Sequence, residues 1–186
     1  MAGRRRTSTW CCVRTGGSRS SSTSRCSTIR AGPRRSTGDG RHRCTSPVDE
    51  CVPIEPPNPV PHFLRADGLL DPSSLPFTDG PDTSVRGYVR PLAGERVDAA
   101  WLAMICDWFP PPAFVNVMPP AGGISVDMLT HIHRATPPVG DDGWLAGWFE
   151  ITSSHGALAA EHGRIVTPDG LAVADSIQTR WTAVRG

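Results

Sequence analysis

One segment of this chain reads as a buried α-helix, and almost everything after it reads as strand. Val97 to Cys106 runs Val-Asp-Ala-Ala-Trp-Leu-Ala-Met-Ile-Cys, continues into Asp107-Trp108-Phe109 and stops at Pro110, Pro111 and Pro112. Asp98 is placed to accept the orphan N–H groups of the first turn, and proline cannot continue a helix. Apolar residues occupy nearly every face of the segment, which predicts burial all round. Val85 to Pro91 reads as a strand before it. After it come Ile124 to Arg134, Trp144 to Ser153, Ala157 to Val166 and Leu171 to Thr182, with His155-Gly156 and Pro168-Asp169-Gly170 as turns. Between helix and strands, Ala113 to Met118 is an irregular apolar segment or a short strand. Strict alternation over 124–134 puts Val126, Met128 and Ile132 on one face and Ser125, Asp127, His131 and His133 on the other. A lone apolar helix followed by consecutive antiparallel strands is satisfied by a curved sheet wrapped around that helix, an α+β fold.

The remainder of the 186 residues has a different texture. Residues 1–45 carry eleven arginines against Asp39, a charge of 11 − 1 = +10, while residues 46–186 carry eight arginines and seventeen acids, 8 − 17 = −9. The total of +1 hides this division. An Arg/Ser-rich stretch with so little apolar surface cannot offset the entropy of ordering itself. Residues 1–50 are therefore expected to be disordered. The absence of lysine points to GC-rich coding DNA, so this stretch reads either as such DNA in the wrong frame or from a misplaced start, or as a genuine basic tail. Residues 51–83 are expected to be a proline-rich linker and loop, with Pro53 to Pro61 extended and Asp-Gly and Asp-Pro turn signals following. Residues 84–186 form the expected folded domain.

Several function classes are disfavoured. The basic arm has no aromatic stacking platform, so no nucleic-acid partner is expected. No apolar run has signal-peptide or transmembrane length, so no membrane partner is expected and the cytoplasm is the default. Cys11, Cys12, Cys26, Cys44 and Cys51 lack paired zinc-ligand spacing, and Cys106 reads as a small core residue. Asp127, His131 and His133 share a strand face, but His-x-His on a strand is usually solvated. No metal or redox cofactor is expected.

Three polar residues stand out in the apolar frame. Asp107 closes the helix in Ile-Cys-Asp-Trp-Phe, Ser125 lies in Gly-Ile-Ser-Val-Asp-Met, and Gln178 lies in Val-Ala-Asp-Ser-Ile-Gln. With these contexts, residues 84–184 resemble the C-terminal hotdog repeat of the acyl-CoA thioesterase II family and its thioesterase-like relatives. In that family an aspartate closes the helix, a Thr or Ser lies on the strand leading into His-Arg-Pro, and a glutamine follows a Val-Ala-Ser-like step. The resemblance assigns these roles to Asp107, Ser125 and Gln178. Departures are visible: Ser125 stands for the commoner Thr, Ala135 follows His133-Arg134 where the family has proline, and no second repeat of suitable composition precedes. Members usually carry two repeats, and the acyl pocket forms where they meet.

The implied chemistry is hydrolysis of a fatty acyl-CoA or related acyl thioester. Asp107 would take a proton from a water or orient it, while Ser125 and Gln178 would hold that water or the carbonyl. No Gly-x-Ser-x-Gly elbow suggests a covalent intermediate. A helix N-terminus or a backbone amide could also polarise the carbonyl, and the sequence does not locate one. Plainer readings stand beside these: Asp107 as a helix-end residue meeting solvent or an arginine, Ser125 as a small strand residue, and Gln178 bonded to a neighbouring backbone group. The alternative function is a non-catalytic or truncated hotdog fragment that dimerises or binds acyl chains. An open sheet edge with an apolar face favours a homodimer in either case.

Overall fold

The computed structural model describes residues 46–55, 61–80, 82–115 and 121–184. These lie in the second of two compact units, Gly38–Gly186. The disorder expected at the N-terminus falls outside the described residues as far as residue 45. From Ser46 onward the chain is instead tied into the fold. Ser46 donates through its backbone N–H to the buried Asp71 carboxylate at 3.2 Å, and its carbonyl accepts from the Tyr88 hydroxyl at 3.1 Å. Val48–Glu50 then forms a 3-10 turn.

One antiparallel sheet organises the molecule. Its strands are β1 (Val52–Pro53), β2 (Ala66–Leu70), β3 (Ser84–Pro91), β4 (Ala121–Ile132), β5 (Leu145–His155), β6 (Leu158–Val166) and β7 (Ala172–Val184), in the order β1-β2-β3-β5-β6-β7-β4. Two of these strands correct the expected linker and loop over 51–83. The Asp67-Gly68 pair reads as a turn locally but sits in mid-strand. Gly68 is required there because a Cβ would lie 2.1 Å from the Trp108 ring, so the glycine permits close approach rather than a bend. Farther along, the turns read from sequence do occur, with Gly156 and Gly170 in the left-handed region at φ 58° and 86°.

Helix α1 (Ala99–Ile105) is the single α-helix among the described residues, and the curved sheet surrounds it in the hotdog arrangement. The Asp98 carboxylate accepts from the Trp101 N–H at 2.9 Å, as its position predicts. Burial is one-sided, which corrects the expectation of burial all round. Trp101, Leu102 and Ile105 are buried with Val85, Val89, Leu145, Phe149, Ile165 and Val173 of the sheet, whereas Ala99 and Ala100 are exposed. Apolar composition alone did not reveal this, because alanine is as acceptable at a helix surface as in a core. Pro112–Phe114 forms a 3-10 turn where an irregular segment or strand was expected.

Strand β4 pairs with β7 and is otherwise an open edge among the described residues. Its alternation is broken by a bulge: Ser125 faces Arg180 and Asp127 faces Thr179, leaving Val126 unopposed. The slip moves Ser125 onto the face of Met128 and Ile132, correcting the strict alternation that grouped it with Asp127 and His131. Asp127 accepts from the Thr179 backbone N–H at 3.1 Å, satisfying a donor beside the bulge.

On the outer face Asp175 of β7 ties three strands together. It accepts from Arg164 of β6 at 2.6 Å and meets His133, just beyond β4, at 2.8 Å. Burial alone would raise its pKa. The hydrogen bonds from Arg164 and His133 and their charges outweigh burial, so the carboxyl sits below the ordinary value of 3.8.

Two outcomes follow. A Cβ at Gly87 would lie 2.0 Å from the Leu69 carbonyl oxygen, a backbone atom that cannot swing aside. Gly87→Ala should therefore cost about 1–3 kcal/mol of stability in chemical denaturation. For Asp175, the folded pKa lies below the unfolded one, so its stabilisation is complete above 3.8 and is lost as pH falls through the folded value. Denaturation midpoints measured against pH should drop in that acid range, and Asp175→Asn should flatten the drop.

Candidate functional site

Asp107 occupies the turn that closes α1, where its N–H donates to the Met104 carbonyl at 3.0 Å. Cys106 on one side and Trp108 and Phe109 on the other are buried, so the backbone at Asp107 is pinned while its side chain remains 40% exposed. Burial pushes the Cys106 thiol up to about 12, which leaves it neutral, as a core residue should be. The Ser125 hydroxyl donates to Asp107 Oδ1 at 3.0 Å. Two residues remote in sequence are thus joined, and the β4 bulge is what turns Ser125 toward the helix.

Gln178 faces the same inner side of the sheet but is fully buried and makes its hydrogen bond elsewhere. Its Nε2 donates to Glu161 Oε1 at 2.9 Å, while its Oε1 is buried and has no partner among the described residues. Sequence reasoning missed the two residues that connect Gln178 to the others, Glu161 of β6 and Arg180 of β7. Arg180 Nε donates to Glu161 Oε2 at 2.9 Å and Nη2 donates to Oε1 at 3.3 Å. The same Nη2 reaches Asp107 Oδ1 at 3.2 Å, and Nη1 reaches Ser125 Oγ at 3.4 Å. All five residues therefore form one connected network spanning α1, β4, β6 and β7.

The charges of this network are unevenly buried. Glu161 and Arg180 side chains are 3% and 8% exposed, so the pair is shielded from water. Burial pushes the Glu161 carboxyl above its ordinary value, and the Arg180 charge and the hydrogen bonds from Arg180 and Gln178 oppose that shift without reversing it. A signal for both residues existed in the sequence. Arg180 lies two positions after Gln178, hence on the same strand face, and Glu161 alternates with Ala159, Gly163 and Ile165 on the inward face of β6. A charge in an inward apolar register marks a buried ion pair.

The other polar residues singled out in sequence lie apart from this network. Asp127 and His133 make the contacts given above, and the described residues contain no group of three or more His, Cys, Asp or Glu arranged to hold a metal. A cavity of about 460 Å³ is lined in part by Ile54, Phe63, Gly68, Trp108 and Trp144, and its lining includes none of Asp107, Ser125 and Gln178. The network instead faces solvent at Asp107 and Ser125. No helix among the described residues is long and apolar enough to cross a membrane.

Comparison with known proteins agrees with this architecture. A hotdog-fold protein of unknown function from Alicyclobacillus acidocaldarius superposes with a TM-score of 0.64 at 18% identity, covering 90% of this chain and 60% of its own. A candidate thioesterase II from Thermobifida fusca YX gives 0.62 at 21% identity, covering 83% and 57%. An acyl-CoA thioesterase II from Mycobacterium marinum gives 0.50 at 22%, covering 73% and 57%. At these identities the likeness establishes the fold, and the chain spans about 57–60% of the length of those structures. No curated protein sequence matches it significantly. The family profile for the acyl-CoA thioesterase C-terminal domain, in contrast, matches residues 48–181, all of the sheet except the last three residues of β7, and the chain belongs to that family.

Proposed function

We propose that this domain is an acyl-CoA thioesterase-like hydrolase acting on a fatty acyl thioester, with Asp107, Ser125 and Gln178 as the residues that position the attacking water. The observation that carries this reading is the 3.0 Å hydrogen bond from Ser125 Oγ to Asp107 Oδ1, which joins the two residues at the solvent-facing end of the network. Asp107 Oδ1 is occupied by Ser125 and Arg180, while Oδ2 has no partner among the described residues. That oxygen is the natural acceptor for a water proton.

The reaction balances without a cofactor. Water oxygen bonds to the thioester carbonyl carbon while one of its protons passes to Asp107 Oδ2. The tetrahedral adduct collapses, the C–S bond breaks, and the departing thiolate takes up the proton, giving a carboxylic acid and a thiol. Ser125 fixes the carboxylate orientation. Gln178, with a free Oε1 acceptor, serves the water or the network that holds Arg180.

Asp107→Asn keeps the side-chain shape and deletes the base, so it should lower acyl-CoA hydrolysis roughly 100-fold or more in a thiol-release assay. Ser125→Ala and Gln178→Ala each remove a hydrogen bond to a carboxylate, worth about 1.5 kcal/mol, and should cost roughly tenfold. An Asp107→Asn variant with parental rate would overturn the assignment.

A second reading is favoured by the chain's span of 57–60% of its structural relatives. In it the domain pairs with another hotdog domain and binds acyl chains without turnover. Either reading calls for pairing. The β4 edge is open, and Ile124, Leu129, Ile177 and Trp181 on the outer face of β4 and β7 are 42–63% exposed. A homodimer is the expected state, and sedimentation at micromolar concentration should show twice the monomer mass, whereas a stable monomer would contradict it.

A further inference from the structure

A water that adds to a thioester leaves negative charge on the carbonyl oxygen, and that charge needs donors held in place before the reaction begins. Asp107, an acceptor, cannot supply them. The inner face of the sheet supplies a cation at this point. A guanidinium has five N–H donors in a planar fork. Arg180 uses Nε and one Nη2 proton on Glu161, the other Nη2 proton on Asp107 Oδ1, and one Nη1 proton on Ser125 Oγ. One Nη1 proton remains without a partner among the described residues, on the edge that faces Ser125.

The burial gradient separates this arrangement from a purely structural ion pair. A buried Arg–Glu pair stabilises a fold weakly at best, because desolvation offsets the attraction, and Glu161 alone would satisfy it. Here the Nε edge is sunk against Glu161, whose side chain is 3% exposed, while the Nη edge reaches Asp107, whose side chain is 40% exposed. The fork spans from the core to the solvent-facing end of the network, and Glu161 grips it with both oxygens, so its direction is set.

Resting on the thioesterase reading above, we propose that Arg180 receives the thioester carbonyl oxygen through its free Nη1 proton, and that Glu161 is the positioning residue that aims it. The water, Asp107 and the carbonyl then lie on one side of the guanidinium plane's outer edge. Arg180 gives up no proton in the step. It binds the oxygen in the substrate and binds it more strongly as charge develops.

The test uses the full chain and an acyl-CoA analogue in which the thioester sulfur is replaced by methylene and the ketone carbon is ¹³C, so that nothing can be hydrolysed. Infrared difference spectra of the bound ligand should show the labelled C=O stretch at lower frequency than in water. Glu161→Gln, which keeps the arginine but loosens its grip, should reduce and broaden the shift. Arg180→Gln, and the charge-free pair Glu161→Gln with Arg180→Met, should return the band to its unpolarised position, with native circular dichroism checked for each. Should either variant fail to fold, Arg180→Lys retains a charge against Glu161 without the fork and should still lose most of the shift. A band equally shifted in a folded Arg180 variant overturns the inference and leaves the thioesterase reading intact. If the wild-type chain does not bind the analogue, the thioesterase reading fails and takes the inference with it.

Discussion

The seating of α1 against the inner face of the sheet is the interaction on which the other features depend. Trp101, Leu102 and Ile105 on the helix and Trp108 and Phe109 just beyond it are all buried, each contributing about 1.5–3 kcal/mol by leaving water. The fit is tight enough to dictate glycines. A Cβ at Gly147 would lie 2.6 Å from the Phe109 ring, and one at Gly163 would lie 2.3 Å from Phe149. Because residues on both sides of Asp107 are locked in this way, the carboxylate is presented at a fixed point while remaining partly in water. A helix held less firmly could not place a single side chain against a strand that follows it by many residues.

The sheet meets that carboxylate with two devices, a bulge and a buried charge. The bulge at Val126 turns Ser125 inward at an edge strand, where one unpaired residue disturbs few ladder bonds. The buried charge is Arg180, which links Glu161 and Gln178 in the core to Asp107 and Ser125 at the surface. Each device is unfavourable in isolation, since one sacrifices pairing and the other desolvates ions. Both costs are borne at the end of α1, where the proposed site lies.

Much of this was legible beforehand. Asp98 as the helix cap, the Pro110–Pro112 stop, five of the strands and the turns at Gly156 and Gly170 all rest on local chemistry, and they occur where local chemistry puts them. Strand β2 was not legible, because Asp67-Gly68 is a turn signal by propensity and a strand position by virtue of the Trp108 ring packed over it. One-sided exposure of α1 was hidden by alanines, which carry no polarity to mark a surface. The roles of Glu161 and Arg180 depended on knowing that β6 and β7 are neighbours with Glu161 opposite Gln178.

By itself the sequence determined the identity of the elements, the order of Asp107, Ser125 and Gln178 along them, and the likeness that led to the acyl-CoA thioesterase C-terminal domain family. These follow from interactions within a few residues or from patterns along the chain. Tertiary structure alone decided which face Ser125 occupies, that Gln178 meets Glu161 rather than Asp107, and that one guanidinium joins the two carboxylates. The physical reason is that a bulge shifts every later side chain to the other face, and an ion pair forms only between groups that register brings within reach. Neither quantity is encoded in any single segment.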